Sequence, residues 1–536
     1  MDRSSAGISG QYTIPGNGNN QPKEHAASSR RGRYRHAPVR QWCHPPRTAP
    51  GRNELYYSSA ACSFQHLQRR SVNRTSDFNN LIKQKIMDSL VNRSNRIGHR
   101  YDGKYHGQYA SSIKKYTSAA KRPLNRTEQS QLICFLQNFT ATPGWNWRSL
   151  TTTFHSFTSA GVFTPHNPMD ERVKRTQAAL LSTLLDAIRF KCNQKPQAMN
   201  IDPRGVVNLL WAMAKLVNGQ KWAPGLKEAV AALLPHVNPQ KDRCAPQHIA
   251  NLVWAMAKLV DNGLEQIVGL KEAVTSLLPH LNTQKNQFIP QHIANLLWAM
   301  AKLVDNGQER TPGFNEAVVA LLPRVKAHKD RFNAQASANL LWAMAKLVDN
   351  GQQWTPGLKE AVTALLPRVN AQKASFKPQE VSNLLWAMAK LVDNGQKLTA
   401  ELKAAVAALL PYVNAHKANF QPQEITNLLW VIAKLSDNNQ ERTTELNEAV
   451  AALLPHVNAQ QANFQPQEIA NLLWAVAKLG ELVELNVVTS TFESLVYRIS
   501  ENPQFSQQAI LMSLWGVMVC CARLSLASNS NKNNCL

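Results

Sequence analysis

The clearest pattern in the chain is a string of apolar and polar positions that returns about every 44 residues. In Asn-Leu-Leu-Trp-Ala-Met-Ala-Lys-Leu-Val the apolar residues fall at helical spacing, and near copies of this string occur seven times. Each copy contains one tryptophan: Trp211, Trp254, Trp298, Trp342, Trp386, Trp430 and Trp474. Such a period is typical of a chain that stacks one supersecondary unit many times.

Each repeat is predicted to contain two helices. The first begins at Phe-x-Pro-Gln, as at Phe376 and Pro378, because proline suits a first helical turn. It ends at Asp-Asn-Gly, as at Gly351, since glycine tolerates a left-handed cap. The second helix begins near Thr-Pro-Gly and presents one apolar face. In one repeat that face comprises Leu358, Ala361, Val362, Leu365 and Leu366.

A proline follows the apolar face of the second helix in every complete repeat. These residues are Pro235, Pro279, Pro323, Pro367, Pro411 and Pro455. Proline inside a helix removes a hydrogen bond and kinks the axis. Two interpretations remain open: the second helix bends there, or a short third helix starts there.

The predicted fold class is all-α, a right-handed α-solenoid of helical repeats related to armadillo and HEAT arrays, with one concave surface. Residues 1–75 are predicted to be a disordered basic segment, because they combine low hydrophobicity with Arg, Pro, Gly and Ser. Residues 76–174 are predicted to form a degenerate helical cap, and residues 175–525 the repeat array. Residues 526–536 are predicted to be a polar tail.

Charge is distributed unevenly along the 536 residues. Of the formal net charge of +25, residues 1–150 carry +17. A flexible, solvated arm is the simplest interpretation of this excess, and attraction to nucleic acid or to a membrane surface is the more specific one. Charge therefore points to a basic N-terminal segment rather than to a basic array.

The cysteines favour a reducing compartment, since the eight in the chain form no Cys-x-x-Cys pair and do not follow the repeat. No continuous apolar segment near the N-terminus predicts a cleaved signal peptide. The most apolar stretch, 509–522, is shorter than the roughly 20 residues of a spanning helix. It contains Trp515, 41 residues after Trp474, and is interpreted as the last repeat helix.

One polar stripe recurs on the first helix of every repeat. On a helical wheel the Leu, Met and Val positions occupy an arc of about 120°, while Asn, Trp and Lys lie on the opposite side or its shoulder. The Asn column contains Asn208, Asn251, Asn295, Asn339, Asn383, Asn427 and Asn471. The Lys column contains Lys215, Lys258, Lys302, Lys346, Lys390, Lys434 and Lys478.

Two interpretations of this stripe are open. It can be a groove of amides, aromatic rings and cations that binds an extended partner. Alternatively, Asn and Trp pack between repeats and Lys is solvated. The candidate partner contacts are Asn295, Asn339, Asn383, Lys302, Lys346 and Lys390, and the seven tryptophans are assigned to the packing of repeats. A second lysine column (Lys241, Lys285, Lys329, Lys373 and Lys417) is interpreted as a solvated loop at one edge of the stack.

A third column varies along the array. Six residues before each tryptophan stand Gly205, His248, His292, Ala336, Glu380, Glu424 and Glu468. His248, His292 and the three glutamates are added to the candidate partner contacts. Carboxylates in the C-terminal repeats favour a protein surface over a phosphate backbone.

Motifs for catalysis or for cofactor binding are not found in the sequence. It contains no phosphate-binding Gly-rich loop, no His-Glu-x-x-His, no Gly-x-Ser-x-Gly and no Cys/His cluster with metal spacing. His236, His280 and His456 share one repeat position, but that position holds Arg324, Arg368 and Tyr412 in other repeats. The prediction is a protein that is not an enzyme and has no cofactor, metal or small-molecule substrate.

The motif Phe-x-Pro-Gln-Glu-Ile-Ala-Asn-Leu-Leu-Trp-Ala-Met-Ala-Lys-Leu resembles the helical repeats of SKWP-type effectors, which plant-pathogenic bacteria deliver by type III secretion. It is more similar to a repeat family of unknown function in proteins of intracellular bacteria. It also resembles octotricopeptide repeats of organellar RNA-binding proteins, whose unit is shorter. The resemblance covers residues 175–525 and is carried mainly by the first helix.

Together these features lead to one functional hypothesis and one rival. The hypothesis is a repeat scaffold that binds a host protein, exported into a host cell as a bacterial effector without a cleaved signal peptide. Residues 1–22 resemble a type III export signal. The alternatives are an organellar transit peptide, a nuclear address or nucleic-acid arm formed by the Arg30–Arg40 cluster, and a cytoplasmic location. The rival is an RNA-binding solenoid. A repeat protein that reads a base sequence needs side chains that differ between repeats, whereas the Asn, Trp and Lys columns of this chain are constant.

Overall fold

The computed structural model describes residues 88, 92 and 103–533, except 141–143, 195–200, 218–222, 265–266, 397–398, 438–442, 461–462, 480–484 and 502–505. The basic segment predicted over residues 1–75 lies outside the described residues. The described part of the chain consists of helices joined by short turns and contains no strand.

Twenty α-helices follow one another in the described ranges. They are α1 (Gly103–Ala120), α2 (Arg126–Gln131), α3 (Ile133–Thr140), α4 (Trp147–Ala160), α5 (Glu171–Cys192), α6 (Pro203–Leu216), α7 (Leu226–Leu233), α8 (Pro246–Leu259), α9 (Leu270–Gln284), α10 (Pro290–Asp305), α11 (Pro312–Ala327), α12 (Ala334–Asp349), α13 (Pro356–Gln372), α14 (Pro378–Asp393), α15 (Ala400–His416), α16 (Pro422–Asp437), α17 (Thr444–Ala459), α18 (Pro466–Leu479), α19 (Leu485–Glu501) and α20 (Gln507–Asn533).

The helices form two layers, as expected for an α-solenoid. The even-numbered helices from α4 to α20 are the first helices of successive units, and each packs against the next. The odd-numbered helices from α3 to α19 form the second layer, whereas α1 packs against α4. The predicted all-α solenoid is therefore confirmed. The two layers pass without a break through α4 and α5, so the predicted boundary at residue 175 falls inside α5.

Local sequence signals set the helix ends. At the start of α13 the Thr355 hydroxyl accepts a hydrogen bond from the Leu358 amide at 3.2 Å, and Pro356 fills the first turn. At the end of α12, Gly351 adopts φ +86°. That left-handed conformation favours glycine, so the Asp-Asn-Gly stop works as predicted.

The structure resolves the role of the repeated proline. Five prolines lie inside the second helices: Pro279, Pro323, Pro367, Pro411 and Pro455. All five are exposed, so the carbonyl that loses its N–H donor is on the side of the helix that water reaches. In the first complete repeat, Pro235 instead lies in a 3₁₀ turn, Leu234–His236. The second helix therefore runs through the proline in five repeats.

A 3₁₀ turn, rather than a third α-helix, connects the second helix to the next repeat. These turns are Asn238–Arg243, Lys285–Gln287, Lys329–Arg331, Lys373–Ser375 and Lys417–Asn419. A π-type turn at Val260–Leu264 follows α8. Each 3₁₀ turn is followed by a buried residue, such as Phe376, that stands two residues before the first residue of the next first helix.

The C-terminal end of the array is helical. Helix α20 continues to Asn533, through most of the segment predicted to be a polar tail. Among the helices the structure describes, none combines the length and the apolar character needed to span a membrane.

Candidate functional site

The repeated tryptophans lie between neighbouring first helices. Ring centroids are 6.3 Å apart for Trp342 and Trp386, and 6.4 Å apart for Trp430 and Trp474. Trp298 and Trp342 have no exposed surface, and the indole nitrogen of Trp342 has no hydrogen-bond acceptor. The tryptophans of neighbouring repeats therefore meet ring to ring, and in the middle repeats these rings are buried inside the stack of helices.

The repeated lysines connect three consecutive repeats. Lys302 Nζ lies 2.9 Å from a carboxylate oxygen of Asp261 in the preceding repeat. The same nitrogen lies 5.0 Å from the ring centroid of Trp342 in the following repeat, within range of a cation–π interaction. Lys346 repeats this geometry, 3.0 Å from Asp305 and 5.0 Å from Trp386. We call this arrangement the Asp-Lys-Trp ladder.

Burial along the ladder changes with position. The exposed fraction of the lysine side chain is 0% at Lys302, 2% at Lys346, 10% at Lys390 and 23% at Lys434, and Lys478 is exposed. The candidate contacts Lys302, Lys346 and Lys390 thus lie inside the stack rather than on a solvated groove. Their ionic partner is the aspartate of the preceding repeat.

Sequence reasoning missed the aspartates Asp261, Asp305, Asp349 and Asp393. On sequence alone these residues are only part of the helix stop signal. The available signal was that this carboxylate recurs with the same period as the lysine of opposite charge. A helical wheel could not reveal the pair, because its members lie 41 residues apart on different helices.

The asparagine column also lies within the stack at its centre. Asn339 and Asn383 are buried, whereas Asn295 is half-buried. Because the helix on each side covers them, the Asn, Trp and Lys columns do not form an open stripe in the middle repeats.

The variable column lies at the N-terminal ends of the first helices and caps them. Where the residue is Glu, or His at the first occurrence, its side chain accepts a hydrogen bond from the backbone N–H three residues earlier. The donor and acceptor pairs are Lys377 and Glu380 at 3.0 Å, Gln421 and Glu424 at 2.8 Å, Gln465 and Glu468 at 2.8 Å, and Ala245 and His248 at 3.3 Å.

Repeats without such a side chain use the opposite half of the capping motif. Ahead of Ala336, the Asn333 side chain accepts from the Ala336 amide at 2.8 Å. Ahead of Gly205, Asp202 accepts from the Gly205 amide at 2.6 Å. Two ways of capping a helix therefore account for most of the variation in this column.

His292 is the exception in the variable column. Its Nδ1 is buried without a hydrogen-bond partner, and its ring lies edge-on to Phe288 with centroids 6.3 Å apart. Burial lowers the pKa of His292 to about 4, so the side chain is neutral at pH 7. It is not a positive contact for a partner at that pH.

Burial makes the capping glutamates sensitive to pH. It raises the pKa of Glu424, and the hydrogen bond from Gln421 opposes this effect. A raised carboxyl pKa means that the folded state binds the proton more tightly than the unfolded state. The folded state therefore loses stability as pH rises through that pKa.

We expect Glu424→Gln to be more stable than the original protein at pH 7, because glutamine carries no charge that burial penalises. Glutamine keeps the capping acceptor without the charge. The difference should shrink as pH falls through the pKa of Glu424, as measured by urea unfolding at pH 7 and pH 4. Glu424→Ala is the control, since it loses the cap and should cost about 1 kcal/mol. Equal stability of the Gln and Ala variants would contradict the capping role.

An exposed lysine row marks one edge of the stack. Lys285, Lys329, Lys373 and Lys417 are exposed at the 3₁₀ turns, and Lys241 is half-buried. Each turn leads directly into the N-terminus of a first helix, where backbone N–H groups add partial positive charge. We call this surface the basic edge.

Side chains from the following repeat hold the basic edge in place. His280 Nε2 lies 3.4 Å from an Asp242 carboxylate oxygen, and Arg324 donates to the Asn286 carbonyl at 3.3 Å. Arg368 lies 4.0 Å from Asp330. The position after the proline, which includes the recurring histidines, therefore joins neighbouring repeats. In the described ranges, no group of three His, Cys, Asp or Glu side chains could hold a metal ion.

The charge of the basic edge falls along the array. The six segments from the turn to the third helical residue are 238–248, 282–292, 326–336, 370–380, 414–424 and 458–468. With neutral histidine they carry formal charges of +1, +1, +2, +1, 0 and −1. The edge is positive over its first four repeats only.

Several solved structures are similar to this chain in fold, at low identity. Yeast importin-β (Kap95p) has 13% identity and a TM-score of 0.35, over 77% of this chain and 54% of that chain. A structure of Kap95p binding to RanGDP has 13% identity and a TM-score of 0.28, over 81% and 63%. A homology model of the AP-3 complex has 12% identity and a TM-score of 0.26, over 88% of both chains. This chain thus spans about half to two thirds of the two Kap95p chains.

None of the curated proteins compared with the chain matches it. Segments 284–297, 327–341, 395–429 and 451–473 match the model of a family described as a protein of unknown function (DUF1601). These segments fall within the repeat array. They agree with the expected resemblance to a repeat family of unknown function, while SKWP-type effector repeats and octotricopeptide repeats are not among the matches.

Proposed function

We propose that the protein is a non-enzymatic repeat scaffold that binds another protein along the basic edge. The observation that carries this proposal is the exposure of the lysine row while the constant Asp-Lys-Trp ladder is buried in the middle of the stack. Buried columns hold the repeats together and cannot meet a partner. Exposed charges at a regular spacing can contact a partner that carries the opposite charge.

The chemistry of the edge favours an acidic polypeptide. Carboxylates spaced along a protein segment can meet single lysines one repeat apart. A nucleic-acid backbone carries a negative charge at every phosphate. It would meet neutral and negative segments at 414–424 and 458–468. The fall in charge therefore supports a protein partner over RNA.

The test compares two probes with the same variants of the full chain. Fluorescent poly-L-glutamate represents an acidic polypeptide, and poly(U) represents single-stranded RNA. We expect the triple variant Lys329→Glu, Lys373→Glu and Lys417→Glu to bind poly-L-glutamate about tenfold more weakly, a loss of about 1.4 kcal/mol. Titration in 50–200 mM salt measures both affinities.

A matched control makes the same change of charge away from the basic edge. Lys271, Lys359 and Lys403 are exposed in the first turns of second helices, and their change to Glu should leave binding within about twofold. One result would replace the proposal by the RNA-binding rival. In it, poly(U) binds more tightly than poly-L-glutamate, and the slope of log binding constant against log salt concentration becomes about two units shallower in the triple edge variant. Reversing Lys302, Lys346 and Lys390 is no substitute, because those buried charges hold the stack.

The setting that we propose for this scaffold is a host cell, into which it is exported as a bacterial effector. Support comes from the resemblance of the repeats and from the Ser, Gly and Asn content of residues 1–22, which lie outside the described residues. Deletion of Met1–Pro22 should abolish export by a type III system and leave the far-ultraviolet circular dichroism unchanged. Export that survives the deletion would contradict the proposal.

A further inference from the structure

The outward face of α20 is an exposed apolar stripe. Leu511 is 67% exposed, Leu514 55% and Met518 71%, and Ile510 and Trp515 extend the same surface. The opposite face, which includes the buried Ala509 and Cys520, packs on α18, and at the margin between the two faces the Trp515 ring centroid lies 6.4 Å from that of Trp474. The stripe therefore lies on the side of α20 that faces away from the rest of the array.

Preceding first helices bury the same face against the next repeat. The residue before the tryptophan, which is Leu514 in α20, is a fully buried Leu or Val in the earlier copies. These are Leu210, Val253, Leu297, Leu341, Leu385, Leu429 and Leu473. The stripe thus continues the interface that joins one repeat to the next, and it is uncovered in α20.

The stripe differs in shape from the buried faces that it continues. Its Leu511 and Met518 stand where α18 has Ala470 and Ala477. Small residues let neighbouring first helices approach closely. At the contact between α20 and α18, for example, a Cβ atom added to Gly516 would lie only 2.9 Å from the Leu473 backbone. Leucine and methionine would keep a further helix at a greater distance. The apolar stripe of α20 therefore suits a partner helix with large apolar side chains that interdigitate with Leu511, Leu514 and Met518.

We propose that this face pairs with the same face of a second copy of the chain. Leu511, Leu514, Met518 and the exposed Cys521 are spaced by three, four and three residues, as in the seam of two interdigitating helices. From Gln507 to Ala522 the helix has no charged residue, so two identical faces meet without repulsion. Two copies of α20 then lie antiparallel across a two-fold axis.

The experiment measures the mass of the full chain in solution between about 1 and 100 µM by size-exclusion chromatography with light scattering. We expect a dimer of the 59.8 kDa chain. Leu514→Glu introduces two charges per dimer into the apolar seam and should weaken the dimer at least about 100-fold. Because Leu514 is exposed in the single chain, the melting temperature of the variant should match that of the original protein at concentrations at which both are monomers, and fall below it only where the original protein is a dimer.

The matched control is Val268→Glu, since Val268 is a 90% exposed apolar residue remote in sequence from α20. This variant should remain a dimer. A monomer at all concentrations would overturn the proposal, and so would a dimer that Leu514→Glu leaves intact. A monomer that binds phosphatidylcholine vesicles through Leu514 would also overturn it, by assigning the face to lipid. None of these outcomes depends on a partner at the basic edge.

Discussion

Replacing Trp342 by alanine is expected to lower the free energy of unfolding by about 3–5 kcal/mol, the range for removing a fully buried large aromatic side chain. Trp342 has no exposed surface, its ring centroid lies 6.3 Å from that of Trp386, and Lys302 Nζ lies 5.0 Å from its ring. The change removes contacts to both neighbouring repeats. It should therefore weaken two interfaces in the middle of the array.

The stability of a stacked array is approximately a sum of repeat and interface contributions. We therefore expect Trp342→Ala to separate one unfolding transition into two in guanidinium chloride, with faster amide exchange in α10, α12 and α14. Trp474→Ala is the control, because that ring is half-buried and should cost less. Equal losses for the two variants would show that the ring at the centre has no special role.

Asp305→Ala is expected to cost about 3–5 kcal/mol, because it leaves Lys346 without its carboxylate partner in a buried position. The two groups are 3.0 Å apart, with 2% and 10% of their side chains exposed. Water cannot replace the lost carboxylate there. The ring of Trp386 compensates only in part, since a cation–π interaction contributes about 0.5–2 kcal/mol.

The same ladder provides the matched control for Asp305. Lys434 and Asp393 are 3.1 Å apart but 23% and 33% exposed, so Asp393→Ala should cost under about 1 kcal/mol. Adding Lys346→Met to Asp305→Ala should restore much of the lost stability, because methionine fills the space without a charge. Urea unfolding of the three variants and the original protein measures these differences. Similar losses for Asp305→Ala and Asp393→Ala would contradict the dependence on burial.

Much of the repeat architecture could be predicted from the sequence because its signals are local. The proline at the start of α14 and the glycine after α12 act within one helical turn of the ends that they mark. Apolar spacing predicted which residues of α13 face the core, and all five are buried. The role of the repeated proline could not be predicted from the neighbouring residues. Whether the second helix continues through it or a new helix begins there depends on which side of the helix faces solvent.

The candidate site was harder to predict, because its contacts join residues in different repeats. A helical wheel for α12 treats the side opposite the apolar arc as open, yet the neighbouring first helices cover Asn339 and Lys346. On sequence alone the variable column indicates the chemistry of a partner. In the structure Glu380 instead bonds to the backbone of its own helix, a contact that the capping-box spacing alone could have predicted.

The sequence by itself therefore determined the period, the two helices of each repeat and the residues that start and stop them, because each depends on contacts within a few residues. Only the tertiary structure decided which polar residues remain available. Stacking puts a lysine within reach of an aspartate 41 residues before it and a tryptophan 40 residues after it, which buries a charge that looks exposed on an isolated helix. The exposed lysines at the turns and the apolar stripe of α20 are the surfaces that stacking leaves uncovered.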